Sequence, residues 1–461
     1  MTYDYDLLVI GSGPAGQRAA IQAAKVGKRA AIVERSRMVG GVCLHTGTVP
    51  SKTFREAVMS LTCAGQSSQL NTVDRHRPTI QELMHRVNSV IEIELQVIAR
   101  QMSRNNVDIL SGSARFVDTH TVAISCDSTD RQVTADFILI ASGSSPAAPP
   151  IDNDHEVIFT SDDIMQIPKL PSSLAIIGGG VIGIEYASMF AELGVKVTLI
   201  DRNQRPLEFC DIEIIDELLH QLRQKRVNFR FNESVKNIHR IEGKQSVAIE
   251  LDSSKHVEVD AVLFSIGRIG ATGQLALDKV GIIADGRGRL KVNENHQTTT
   301  PNIYAAGDVI GFPALASTSS EQGRLAACAM FGVLASPTPA GLPYGIYSIP
   351  EVSMVGATEQ ELTASKVPYE IGVARYAEIV RGNILNDSSG FFKMIFHSET
   401  RKLLGVHCIG TQATELIHIG QAVLTLGGGL DYFLETVFNY PTLAECYKVA
   451  AYNAANKLRK N

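Results

Sequence analysis

The chain has 461 residues, 44% of them hydrophobic, with 38 glycines and a formal net charge of −5. That length exceeds one hydrophobic core and predicts about three domains of α/β type, while the mild acidity points away from a nucleic-acid-binding face. No apolar run reaches the ~18 residues of a membrane span, residues 1–9 lack the basic region of a signal peptide, and the seven cysteines, none at C-x-x-C spacing, predict neither a metal site nor a secreted disulfide framework, so a reducing cytoplasm is expected.

Residues 6–10 form an apolar run of the kind found in fully buried strands. They lead into Gly11-Ser12-Gly13-Pro14-Ala15-Gly16, a helical stretch to about Val26, and a second strand over 29–33 that ends on Glu34 and Arg35. In such a G-x-G-x-x-G turn the first glycine permits the bend, the second lets backbone approach a pyrophosphate, and the third lets helix pack on strand. The helix N-terminus faces the phosphate charge, and Glu34, 23 residues after Gly11, is placed to hold ribose hydroxyls. Next comes Gly40-Gly41-Val42-Cys43-Leu44-His45-Thr46-Gly47-Thr48-Val49-Pro50-Ser51-Lys52. Residues 78–104 read as a long amphipathic helix; 115–124 and 132–140 read as strands, the latter closing on Ala141-Ser142-Gly143-Ser144.

The opening pattern then repeats. A strand over 173–177 precedes Gly178-Gly179-Gly180-Val181-Ile182-Gly183, a helix over 184–193, and a strand over 196–200 ending on Asp201, again 23 residues from the first glycine. Two units at matching internal spacing imply two dinucleotide sites in one polypeptide. Asp201 favours the free ribose diol of NAD; a unit charge pair at ~4 Å is worth about 4 kcal/mol at an effective dielectric of ~20, so an acid there repels a 2′-phosphate. Arg202 pulls the other way. A strand over 257–265 leads to Ile266-Gly267-Arg268, and Thr299-Thr300-Pro301-Asn302-Ile303-Tyr304-Ala305-Ala306-Gly307-Asp308 precedes a helix over 316–330 that opens on Ala316. Beyond 343 the character changes to strands over 390–397 and 403–409 and helices from 415 and 442, around Asn439-Tyr440-Pro441-Thr442-Leu443-Ala444-Glu445.

This series resembles, in one collinear order, the flavoprotein disulfide reductases, whose redox signature reads G-G-x-C-x-x-x-x-C-x-P-S-K. The resemblance implies two Rossmann-like domains and a C-terminal α+β dimerisation domain, divided as 1–147 and 268–341 (FAD), 148–267 (NAD(P)) and 342–461 (dimerisation). It implies FAD contacts at Gly11, Gly13, Pro14, Ala15, Gly16, Glu34, Arg35, Gly41, Cys43, Thr48, Lys52, Ser142, Gly143, Gly307, Asp308 and Ala316. It implies NAD(P) contacts at Gly178, Gly180, Val181, Ile182, Gly183, Glu185, Asp201, Arg202 and Gly267. Lys52 is expected beside the flavin N5, paired with Glu185 as the catalytic couple, and the Tyr440–Pro441 bond is expected cis. Two positions depart from the family pattern. The second signature cysteine is Thr48, whose hydroxyl forms no disulfide, and the histidine of the terminal H-P-T-x-x-E motif is Tyr440, a poor base at neutral pH. Both losses fall on thiol chemistry. The expected activity is therefore ping-pong hydride transfer between NADPH and NAD through FAD, by a homodimer or larger homo-oligomer that binds no nucleic acid or membrane. A quinone or dye reductase, or a redox-sensing flavoprotein, stands as the alternative.

Overall fold

A computed structural model describes residues 3–35, 39–66, 78–126, 129–151, 154–241, 243–244, 246–336 and 341–458. The first apolar run is β1 (Tyr5–Ile10), followed by α1 (Pro14–Lys25) with Gly13 as N-cap and a proline in its first turn, where a missing N–H costs nothing. β2 (Ala30–Glu34) is buried along its whole length, as expected for a strand covered on both faces. Three helices follow, α2 (Gly41–His45), α3 (Thr48–Gln66) and α4 (Ile80–Arg104), the last opened by a reciprocal capping box between Thr79 and Glu82. β3 (Asp108–Ser111), β4 (Ser113–Phe116), β5 (Thr121–Cys126) and β6 (Thr129–Ile140) complete a sheet ordered β3-β2-β1-β6-β5-β4. The end of β6 pairs with β1 in parallel, and its start pairs with β5 antiparallel. Residues 115–124 are thus a hairpin rather than the single strand expected. The Asp118 carboxylate accepts the backbone N–H groups of His120 and Thr121, both at 2.8 Å, and folds the chain back.

After β7 (Ser144–Pro146) and β8 (Ile158–Thr160), the pattern recurs in β9 (Ser173–Ile177), α5 (Val181–Glu192), β10 (Lys196–Asp201), α6 (Ile212–Gln224) and β11 (Asn228–Phe231). An antiparallel meander of β12 (Val235–Arg240), β13 (Val247–Leu251) and β14 (His256–Val259) precedes β15 (Ala261–Phe264), and the parallel sheet runs β11-β10-β9-β15-β8. The strand expected over 257–265 breaks at Asp260. Its carboxylate accepts the N–H groups of Ser172 and Ser173, both at 2.9 Å, and the chain changes sheets there. β16 (Arg268–Gly270) runs antiparallel to β7, so the two connections between the units lie side by side. β17 (Ile303–Ala305) returns to the first sheet beside β6, and α7 (Ala316–Met330) packs across α1.

The C-terminal region consists of β18 (Tyr344–Ile346), β19 (Val352–Gly356), α8 (Glu359–Ala364), β20 (Tyr369–Arg375), α9 (Val380–Ile384), β21 (Phe391–His397), β22 (Leu403–Ile409), α10 (Ala413–Thr425), α11 (Leu430–Glu435) and α12 (Glu445–Leu458). Its sheet runs β18-β19-β22-β21-β20, antiparallel throughout, giving the α+β form. The last two helices expected from 415 and 442 begin at Ala413 and Glu445, and the Tyr440–Pro441 bond is cis. One apolar cluster joins α3, α5 and the start of the C-terminal sheet through Phe54, Phe190, Ile346 and Ile349. A polar contact also crosses to this region: Lys393 of β21, fully buried, bonds Asp211 at 3.0 and 3.1 Å, Glu213 at 2.7 Å, and Glu359. No described helix is long and apolar enough to cross a membrane.

Candidate active site

The C-terminal ends of β1, β2, β6 and β17 and the N-terminus of α1 enclose a cleft of about 1150 Å³, part of it open to solvent. Of the residues expected against a flavin, all but Gly16 and Lys52 line it. At its floor Glu34 accepts the Ser12 N–H at 3.0 Å and the Ser12 hydroxyl at 2.5 Å, and Ser12 Oγ accepts the Gly40 N–H at 2.9 Å. These bonds tie the glycine turn to the end of β2 and to the start of α2. Gly13 has open space where a side chain would project, and α1 directs its unbonded N–H groups from that turn. Across the cleft Asp308 accepts the Ser144 hydroxyl at 2.9 Å. Arg268 donates to Ser144 Oγ at 2.9 Å, to Ser144 O at 2.8 Å and to Asp162 at 2.8 Å, joining the two connections between units. The Ser142 hydroxyl, also on the cleft, is buried with no hydrogen-bond partner among the described residues. A bare glycine cradle at a helix N-terminus, an acid at the end of the second strand and an unsatisfied hydroxyl together fit a dinucleotide.

The second unit repeats this arrangement. Asp201 accepts the Gly179 N–H, as Glu34 accepts that of Ser12, and the Asn203 N–H at 2.7 Å. Arg202 is exposed and forms no ion pair among the described residues, whereas Arg205 pairs with Asp216. Gly180 has open space ahead of it; a Cβ on Gly183 would lie 1.9 Å from the Gly178 carbonyl oxygen. These two glycines therefore separate binding from folding. Gly180→Ala is expected to weaken nicotinamide nucleotide binding at least tenfold with an unchanged melting temperature, and Gly183→Ala to destabilise the protein by about 1–3 kcal/mol. Nucleotide titration and calorimetry on the two variants check this.

Between the two units, Lys52, the fifth residue of α3, meets Glu185, the fifth residue of α5. The Lys52 ammonium donates to both carboxylate oxygens, at 2.8 and 2.6 Å, and the Glu185 side chain is 5% exposed. The helices are registered by Phe54, two residues beyond Lys52, whose ring packs 6.2 Å from that of Phe190. Cys43 lies on the cleft wall with Thr48, the residue where a second thiol would be needed. Burial raises the Cys43 thiol above its ordinary value, and the Asp308 charge adds to this; a hydrogen bond with Thr48 and the Lys52 charge pull it down by less. A raised thiol pKa keeps the neutral form to higher pH, and the thiolate is the nucleophile. Cys43 is expected to alkylate more slowly than free cysteine at pH 8 and to speed up only as pH rises past the ordinary thiol range, read by mass spectrometry of iodoacetamide adducts. Tyr440 is 63% exposed on the C-terminal region.

Residues 5–323 match the model of the pyridine nucleotide-disulphide oxidoreductases, and residues 342–451 match that family's dimerisation domain. The chain belongs to this family. Members use a flavin together with pyridine nucleotides, and this pyridine nucleotide-disulphide oxidoreductase has two glycine-rich strand–turn–helix units. It is 50% identical to the soluble pyridine nucleotide transhydrogenase of Mycobacterium bovis (strain BCG / Pasteur 1173P2), covering 99% of this chain and 98% of that one. It is 44% identical to the protein of the same name from Klebsiella pneumoniae, over 99% of each. Among solved structures it is similar to the HOCl-induced flavoprotein disulfide reductase RclA from Escherichia coli, with a TM-score of 0.86, 28% identity and coverage of 97% and 99%. It is likewise similar to LpdA from Mycobacterium tuberculosis, with a TM-score of 0.89 at 25% identity, covering 97% and 99%.

Sequence reasoning missed part of this oxidoreductase's cleft wall, Gly112, Ser113 and Ala114 at the β3–β4 turn, which approach through backbone and small side chains and carry no motif. It also gave Arg268 no role beyond a place in a motif.

Proposed function

We propose that this chain is a soluble pyridine nucleotide transhydrogenase that binds FAD in the first cleft and moves hydride between NADPH and NAD+. The observation that carries the reading is the selective loss at the site: Thr48 and a half-buried thiol of raised pKa stand where a dithiol would work, while the Lys52–Glu185 pair is intact. The name shared by relatives at 43–50% identity over nearly their full length supports it.

The first glycine turn and the α1 N-terminus would hold the FAD pyrophosphate, Glu34 a ribose hydroxyl, and Asp308 the chain leading to the ring. Bound FAD supplies a centre that accepts hydride from one nicotinamide and returns it to another. The second unit takes the nicotinamide nucleotides in turn, Asp201 suiting the ribose diol of NAD and exposed Arg202 the 2′-phosphate of NADP. The overall exchange, NADPH with NAD+ giving NADP+ and NADH, moves one proton with its electron pair and leaves no proton over. No acid-base residue is required on the opposite face, which accords with tyrosine at 440. Lys52, held by Glu185, contributes fixed positive charge where negative charge develops, and does so without reorganising. The match of residues 342–451 to a dimerisation domain supports a homodimer. A steady-state assay crossing NADPH with thio-NAD+ on the yellow holoprotein tests the proposal. Thio-NADH should form with parallel double-reciprocal lines, and its failure to form would refute the reading.

A further inference from the structure

A third residue, Tyr347, closes around the Lys52–Glu185 pair from the C-terminal region. Its backbone N–H donates to Glu185 Oε1 at 2.8 Å, and its ring centroid lies 5.0 Å from Lys52 Nζ. Glu185 already takes two donors from the ammonium, and the aromatic face meets a lysine whose side chain is a quarter exposed. The segment is pinned to both helices that carry the pair. Arg55, three residues after Lys52, donates to Ser348 O at 3.0 Å and pairs with Glu351 at 3.1 Å. Ser188, three after Glu185, accepts the Ile349 N–H at 3.0 Å and donates to Glu185 O at 2.7 Å. Glu351 also accepts the Thr414 N–H and hydroxyl at 3.1 and 2.7 Å.

We propose that Tyr347 is the positioning residue that holds Lys52 in its two-bonded geometry with Glu185 and thereby sets the charge beside the flavin. A lysine is a point charge on a flexible stem. Two bonds to one carboxylate fix its distance from Glu185 but not the direction of the stem, and the aromatic face supplies the missing constraint and keeps water from the ammonium. The inference rests on the flavin site proposed above.

Side-chain substitution leaves the Tyr347 amide in place, so it tests the ring alone. In the Tyr347→Leu holoprotein, Lys52 is expected to undergo reductive methylation between about 3- and 30-fold faster, relative to the other lysines, than in the unsubstituted protein. Tyr347→Phe, which keeps the ring and loses only the hydroxyl, should stay within about threefold of the unsubstituted rate. The flavin midpoint potential should shift in Tyr347→Leu, and that shift should disappear when Lys52→Met is already present, because the ring acts through the lysine. If the leucine variant does not retain flavin, Tyr347→Met gives the same comparison with a longer, unbranched side chain that adapts to the gap. An unchanged Lys52 labelling rate in a flavin-loaded variant lacking the ring would overturn the proposal, as would a potential shift that persists without Lys52. If labelling and potential behave as expected but no thio-NADH forms, the transhydrogenase reading fails and the role of Tyr347 stands.

Discussion

Lys52→Met is expected to slow hydride exchange between NADPH and NAD+ by about 10²–10³-fold, the usual cost of losing one preorganised charge at a reacting centre, while the fold and the yellow colour persist. The lysine side chain is 26% exposed and the glutamate 5%, so the variant leaves a buried carboxylate with one remaining described side-chain or backbone donor, the Tyr347 N–H. That local cost, about 1–3 kcal/mol, should appear as a modest drop in melting temperature. Glu185→Gln makes the complementary change. Its amide still accepts the Tyr347 N–H but no longer balances the ammonium, so the lysine is released toward water; a smaller loss, about tenfold, is expected. Stopped-flow bleaching of the flavin band by NADPH separates the two effects from weaker nucleotide binding. Equal rates in Lys52→Met and the unsubstituted protein would remove Lys52 from the machinery.

Lys393→Met should destabilise the protein by about 3–5 kcal/mol, the cost of stripping one partner from a buried ion cluster. Its ammonium is the counter-charge to Asp211, Glu213 and Glu359, and it is fully buried, while the Asp211 side chain is 1% exposed. Glu213, 54% exposed, can turn to solvent, which favours the lower end of the range. Burial opposes charge on Lys393, yet the hydrogen bonds it donates to Glu213 and Glu359 and the Asp211 charge outweigh it and raise its pKa. A raised lysine pKa contributes stability that is complete below the unfolded value of about 10.4 and is lost only as pH climbs through the higher folded value. The contribution is therefore intact at neutral pH and fades on the alkaline side. Thermal unfolding of Lys393→Met, alone and with Asp211→Asn, checks this: the double variant should recover part of the loss. Asp211 caps α6 of the second unit and Glu359 opens α8, so this cluster ties the second unit to the C-terminal region that carries Tyr347.

The two nucleotide units were legible because their information is local. A buried strand, a glycine turn and a strand-end acid recur at one spacing, and backbone chemistry forces that pattern. The structure places Glu34 and Asp201 in equivalent bonds to Ser12 and Gly179, as that repetition implies. What was not legible depends on partners far away in sequence. Asp118 and Asp260 break expected strands through short polar contacts that apolar periodicity does not register. Tyr347 reaches Glu185 across 162 positions, and nothing in Ile346-Tyr347-Ser348 distinguishes that tyrosine from one in a plain strand end. Lys393 interrupts Phe391-Phe392-Lys393-Met394 in a strand that is otherwise apolar and buried as far as Phe396, a polar residue whose meaning becomes visible only once the acids of α6 and α8 are seen around it.

The most direct test bleaches the holoprotein with one equivalent of NADPH, then mixes it anaerobically with NAD+ or with a small disulfide. Recovery of the flavin absorbance with NAD+ at a rate that supports turnover, and none with the disulfide, is the predicted result. Recovery with the disulfide at such a rate, or none with NAD+, would contradict the account.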